Sequence, residues 1–152
     1  MSTEVWYCDD MDVHFSGHSS YSTEYHIVWI TKYRRRILKP GLVAYLQKLF
    51  PNELRKMPGC EIVELNILSD HIHIIMIIPP KYAVSDVVGQ LKQKSCHWLR
   101  KKFGWLERVY WQERVVWSPG YFVSTIGLNE KQIIKYVKFQ QGQDLGQAKL
   151  AL

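Results

Sequence analysis

The stretch that most constrains the fold is residues 61–78, where two β-branched runs, EIVELNIL and HIHIIMII, are separated only by Ser69-Asp70. So short a connection leaves no room for a crossover, and the two runs are expected to pair as an antiparallel hairpin. Pro79-Pro80 ends it. Ahead of it, residues 24–31, EYHIVWIT, read as another strand. Pro40-Gly41 opens a helical stretch to about Met57, with Leu42, Val43, Leu46, Leu49 and Phe50 as its apolar positions. Pro51 is expected to kink or break that helix, and Pro58-Gly59 is a turn. Beyond the hairpin, Ser85 is expected to cap a helix reaching about Phe103, with Val87, Val88, Leu91, Cys96, Trp98 and Leu99 apolar. Residues 114–117 and 121–126 read as strand, interrupted by Ser118-Pro119-Gly120, and a last helix runs from about Asn129 to Gln141. The order strand, helix, hairpin, helix, strand, helix predicts an α+β fold: a ferredoxin-like antiparallel sheet with helices on one face. It forms a single domain over 21–152. Residues 1–20 have no clear period, and a flexible arm is expected there; Asp9, Asp10, Asp12, His14 and His18 on such an arm are poor metal ligands, because the chain must first be ordered.

A chain of 152 residues that is 47% hydrophobic supports one core of this kind. Lys and Arg outnumber Asp and Glu by 20 to 14, a net charge of +6, which favours an anionic partner. Cys8, Cys60 and Cys96 are odd in number and far apart, with no C-x-x-C, so neither a disulfide framework nor a zinc ribbon is expected and a cytoplasmic setting is. The longest apolar run, Ile72–Pro80, is too short for a bilayer and contains His73, so no membrane role is expected.

The first chemical feature is Asp70-His71-Ile72-His73. On a strand His71 and His73 point to the same face, roughly 6.5–7 Å apart along the backbone, and Ile72, Ile74, Met76 and Ile78 point to the other. Two imidazoles so spaced can converge on one divalent metal, or can simply be solvated on a sheet face. The second feature is the last helix. Ile133, Ile134 and Val137 are expected to form its core stripe, while Tyr136 and Gln140, four apart, share another face. With nine tyrosines in the chain, spacing alone does not choose among them. A phenol titrates near about 10, so it is a weak nucleophile at neutral pH unless charge at the reacting phosphate is neutralised. For DNA contacts the candidates are Lys32, Arg34, Arg35 and Arg36 after the first strand, and Lys92 and Lys94 on the long helix; the same residues also suit a solvated charge run. Trp105, Trp111 and Trp117 can stack on bases or belong to the core.

Four blocks, in order, resemble a known family: YHIVWITKYRRRIL at 25–38, DHIHIIMIIPP at 70–80, WSPGYFVSTIG at 117–127 and KYVKFQQ at 135–141. They are similar to the single-tyrosine HUH transposases of the smallest bacterial and archaeal insertion sequences, the IS200 group. The resemblance implies a ferredoxin-like or RRM-like sheet in a homodimer. It implies that His71 and His73 ligate Mg²⁺ or Mn²⁺, that Gln140 is the third ligand, and that Tyr136 is the nucleophile. The partner it implies is single-stranded DNA with hairpin ends, cut and rejoined through a 5′-phosphotyrosine, with the tyrosine helix often completing the partner subunit's site. The competing reading is a non-catalytic RRM-like single-strand binder, which calls for stacking aromatics where His71 and His73 stand. A further one is a related HUH enzyme of repeats or plasmid origins, against which the order of the four blocks argues.

Overall fold

The computed structural model describes residues 13–17 and 19–150. Two three-residue strands, β1 (His14–Ser16) and β2 (Ser19–Tyr21), pair as a small antiparallel sheet, with His14 stacked on Tyr21. Part of the stretch read as an arm is therefore paired strand. Asp9, Asp10, Asp12 and His18 lie outside the described residues. Strand β3 (Glu24–Ile30) leads into a single 3-10 turn, Lys32–Arg34, and then helix α1 (Pro40–Leu54). The hairpin follows as β4 (Glu61–Ile67) and β5 (His71–Ile77). Next come α2 (Val84–Lys102), a one-turn α3 (Leu106–Val109), the short β6 (Phe122–Ser124) and α4 (Glu130–Leu150).

The main sheet has the order β4-β5-β3-β6, with every neighbouring pair antiparallel. That is the ferredoxin-like arrangement expected from the element order. Ile27 and Trp29 of β3 and Ile72, Ile74 and Met76 of β5 are fully buried. They form one core with Leu42, Leu46 and Phe50 of α1 and Val87, Val88, Leu91 and Leu99 of α2. Trp29 anchors it, set edge-on against both Phe50 and Trp117. Trp117 is therefore a core residue, its indole N–H donating to Ser95 Oγ at 2.8 Å. Trp111, by contrast, is exposed.

Three local expectations are corrected. Of the kink or break expected at Pro51, the break is absent, since helix α1 runs on to Leu54. Pro51 and Gln47, whose carbonyl loses its partner, are both exposed, so water satisfies that carbonyl, while buried Phe50, Glu53 and Leu54 hold the last turn down. Ser85 does not cap α2: the N-cap is Ala83 and Ser85 sits inside the first turn. Of residues 114–117 only Trp117 bridges to the sheet, opposite Thr31, and the expected strand over 121–126 is reduced to Phe122–Ser124.

Period-two alternation gives the sheet a second face. The register sets His73 beside Val28, and His26 beside Ile75; across the next pair, Val28 faces Phe122 and His26 faces Ser124. Val28 and Ile30 are fully buried on this face. Helix α4, nine residues longer than expected at its C-terminal end, lies against β3 and the 3-10 turn, and its Tyr136 ring meets Phe122. The nucleophile candidate and the histidine pair are thereby brought to one side of the sheet.

Candidate active site

His71 opens β5 and His73 follows two residues later, both half-buried on the α4 side. His71 Nδ1 lies 2.7 Å from Asp70 Oδ1. Arg34 Nε donates to Asp70 Oδ2 at 2.8 Å, and Arg34 Nη1 donates to Gln141 Oε1 at 3.2 Å. Burial alone would raise the Asp70 carboxyl, but its hydrogen bonds with His71 and Arg34 outweigh that and hold it below the ordinary carboxylate range. His73 packs against His26, ring centroids 5.6 Å apart. Burial first, and then the neighbouring His26, push the His73 imidazole below its ordinary range, so it is neutral at physiological pH. Its Nε2 is buried and has no hydrogen-bond partner. Among the described residues no three His, Cys, Asp or Glu side chains gather as a metal site. A metal here therefore rests on the two imidazoles with ligands of another kind.

Helix α4 brings the other candidates in. Its buried stripe differs from the one expected: Ile134 is 40% exposed, whereas Val137, Gln140 and Asp144 are buried and Tyr136 is half-buried beside them. The 3.6-residue repeat explains this, since 133, 136–137, 140 and 144 follow one face and 134 turns off it. Tyr136 and Gln140 thus share the packed face with Val137. The Tyr136 hydroxyl is buried without a partner, and burial, then the Asp144 charge, raise the phenol well above its ordinary value. Gln140 Nε2 donates to Ser118 Oγ at 2.8 Å and to Asp144 Oδ1 at 3.4 Å.

Asp144 escaped the sequence reading. It is fully buried and accepts from the Ser118 hydroxyl at 2.7 Å and the Tyr33 N–H at 3.0 Å, with Lys32 Nζ 3.7 Å away. Tyr33 and Arg34 both adopt left-handed backbone, φ 58° and 55°, at a cost of about 1–3 kcal/mol each. The carboxylate of α4 holds that turn in place. Its spacing of four from Gln140 and eight from Tyr136 was a usable sign. Asp70 was read as part of a tight connection and as the first residue of the Asp70-His71-Ile72-His73 feature, with no role of its own.

The basic candidates divide. Lys32 is buried beside Asp144 and Arg34 is held by Asp70. Lys92 Nζ donates to the carbonyls of Ser118 and Gly120 at 2.8 and 2.7 Å, and burial pushes its ammonium down to about 8. Arg35 lies over the rings of Tyr33 and Tyr110 and donates to the Val109 carbonyl. Arg36 is exposed and Lys94 half-exposed. Three of the six therefore spend their charge inside the protein.

The profile of the family Transposase IS200 like matches residues 19–140, a span that holds the histidine pair, Tyr136 and Gln140. This chain is an IS200-like transposase. The transposase for insertion sequence element IS200 of Salmonella typhimurium is 37% identical over 133 residues, covering 84% of this transposase and 83% of the relative. The ISDra2 transposase TnpA of Deinococcus radiodurans is 30% identical over 125 residues, with 82% and 88% covered. Among solved structures, a candidate transposase from Deinococcus radiodurans superposes with a TM-score of 0.73 at 27% identity, covering 84% of this chain and 97% of that one. A REP-associated tyrosine transposase bound to a REP hairpin superposes at 0.51 with 19% identity, covering 82% and 70%, and shares the fold. Family membership sets the non-catalytic RRM-like alternative aside.

Proposed function

We propose that this transposase cleaves and rejoins single-stranded DNA at insertion-sequence ends, with Tyr136 as nucleophile and Mg²⁺ or Mn²⁺ held by His71, His73 and Gln140. The observation that carries the reading is the buried, unpartnered Nε2 of His73 on the face to which α4 brings Tyr136. A neutral imidazole nitrogen without a hydrogen bond is costly to bury and suits a metal ligand. His71 fits as well, since Asp70 occupies its Nδ1 and leaves Nε2 for coordination. Gln140 has its amide nitrogen engaged with Ser118 and Asp144, which leaves its oxygen as the ligand atom. When bound, the metal neutralises charge at the scissile phosphate. The Tyr136 oxygen attacks phosphorus as its phenol proton passes to water. The P–O3′ bond breaks, and the leaving 3′ oxygen takes up a proton. The 5′-phosphotyrosine so formed retains the bond energy, and attack by a 3′-OH reverses the sequence and frees the phenol.

A hairpin-ended strand is the DNA partner in this reading, in keeping with the solved relative that holds a REP hairpin. A homodimer is supported by exposed Phe122 and Val123 on edge strand β6, Ile126 just beyond it, and Ile134, Phe139 and Leu145 on α4. We place the reaction in the cytoplasm, with its DNA; among the described residues no helix is long and apolar enough to cross a membrane. The test is incubation with hairpin-ended single-stranded DNA and Mn²⁺, followed by denaturing electrophoresis and peptide mapping. A covalent adduct at Tyr136 is expected. An adduct at any other residue, or cleavage undiminished by His71→Ala/His73→Ala, refutes the assignment.

A further inference from the structure

Arg34, read from the sequence as a phosphate contact, instead ends on Asp70, which in turn meets His71. The chain of contacts is tight and enclosed. The Asp70 side chain is 9% exposed and that of His71 12%. The Asp70 backbone carbonyl accepts from the Thr31 N–H at 3.0 Å, and its carboxylate is held at both oxygens, by Arg34 and by His71. Arg34 is held from the far side as well, by Gln141 on the nucleophile helix.

The donor and acceptor inventory then decides where the imidazole proton sits. Guanidinium groups only donate, and an ionised carboxylate only accepts. Asp70 Oδ1 therefore accepts a hydrogen bond from the His71 Nδ1–H, and the nitrogen left for a lone pair is Nε2. We propose that Arg34 and Asp70 are positioning residues that lock His71 in the Nδ1–H tautomer, so that Nε2 is the nitrogen presented for ligation. The inference rests on the metal reading above for its purpose but not for its geometry. Arg34 holds the Oδ2 end of the residue-70 side chain, so whatever atom stands there must accept.

That last point makes the proposal testable with one atom changed. In Asp70→Asn, the amide oxygen must face Arg34, which can only donate. The amide NH₂ is then turned onto His71 Nδ1, which must accept, and the ring proton moves to Nε2. In Asp70→Asn/Arg34→Met the amide is free to turn back and the Nδ1–H form returns. Long-range ¹H–¹⁵N spectra of the metal-free, ¹⁵N-histidine-labelled chain read the tautomer directly. Wild type is expected as Nδ1–H, Asp70→Asn as Nε2–H, and the double variant as Nδ1–H again. Mn²⁺ titration followed by electron paramagnetic resonance is expected to weaken about 10- to 100-fold in Asp70→Asn and to recover in the double variant. A purely structural role predicts the opposite order, with the double variant worst. Asp70→Ala supplies a second reading, a mixture of tautomers, should the asparagine disturb the fold. His71 remaining wholly Nδ1–H in both Asp70→Asn and Asp70→Ala overturns the proposal. A tautomer switch in a wild-type background that binds no Mn²⁺ upholds the proposal and refutes the metal reading instead.

Discussion

Tyr136, the proposed nucleophile, carries the one hydroxyl of α4, and the fold gives that hydroxyl no hydrogen bond. A buried polar group left unsatisfied costs about 1–3 kcal/mol, so the nucleophile is held at the expense of stability. Tyr136→Phe should therefore abolish the covalent adduct while leaving the melting temperature unchanged or higher; a gel for the adduct and a thermal melt measure the two. A variant that melts earlier and still cuts DNA contradicts both halves of the argument. Lys92 presents a similar tension in a cation. Burial lowers its folded value to about 8, against about 10.4 in an unfolded chain. Between those values the unfolded chain binds more protons, so this residue makes stability rise with pH across that window. Below about pH 8 both states are protonated and the contribution is lost. Lys92→Met should flatten the rise, by about 1 kcal/mol between pH 8 and 9.5 in denaturant titrations. An equal pH response in the two proteins would show that Lys92 is not the group responsible.

At the scale of elements, α4 is attached to the body by side chains at one helical spacing. Val137 supplies the apolar contact, while Gln140 and Asp144 join it to Ser118 and to the strained turn at Tyr33 and Arg34. Asp144→Ala removes the acceptor for the Ser118 hydroxyl, the Tyr33 N–H and the Gln140 amide at once. A loss of about 3–5 kcal/mol is expected, at about 1–3 kcal/mol for each buried donor left unsatisfied. Hydrogen exchange should quicken at the Tyr33 amide and along α4 while the β3–β5 ladder stays protected. Uniform acceleration through the sheet would mean that Asp144 supports the whole fold and not the attachment of α4. Helix α1 makes the converse point. Its proline is tolerated because the lost carbonyl partner faces water and the buried turn around Phe50 and Leu54 stays packed.

The whole molecule sets the histidine pair and the tyrosine helix on one side of a four-stranded sheet, with the apolar edge of β6 and α4 left open. In the proposed dimer that edge is covered by a second copy, and a tyrosine helix that served the partner subunit's site would have a testable consequence. Neither Tyr136→Phe nor His71→Ala subunits should form adducts alone. Mixed after co-refolding, they should regain cleavage, because each mixed dimer holds one site with an intact tyrosine and an intact histidine pair. A mixture as inactive as its components, with mixed dimers demonstrated by native mass spectrometry, would assign each tyrosine to its own chain's histidines.

What the sequence determined by itself was local geometry. Alternation along HIHII puts both imidazoles on one face of β5, the two-residue gap at Ser69-Asp70 makes the hairpin antiparallel, and the element order yields the ferredoxin-like sheet. These follow from periods of two and 3.6 residues, which any stretch of chain displays without its neighbours. The destinations of the charged side chains were different in kind. Arg34 and Asp70 meet across 36 residues, and Tyr33 and Asp144 across 111. Ile134 faces solvent while Gln140 and Asp144 are buried, because the 3-10 turn and the Ser118 loop offer polar partners to that side of α4. Such pairings depend on which elements the closed fold brings into contact, and a buried charge is stable only where that contact supplies its partner. Tertiary structure alone therefore decided which cations of KYRRR were left to face outward and which became part of the site.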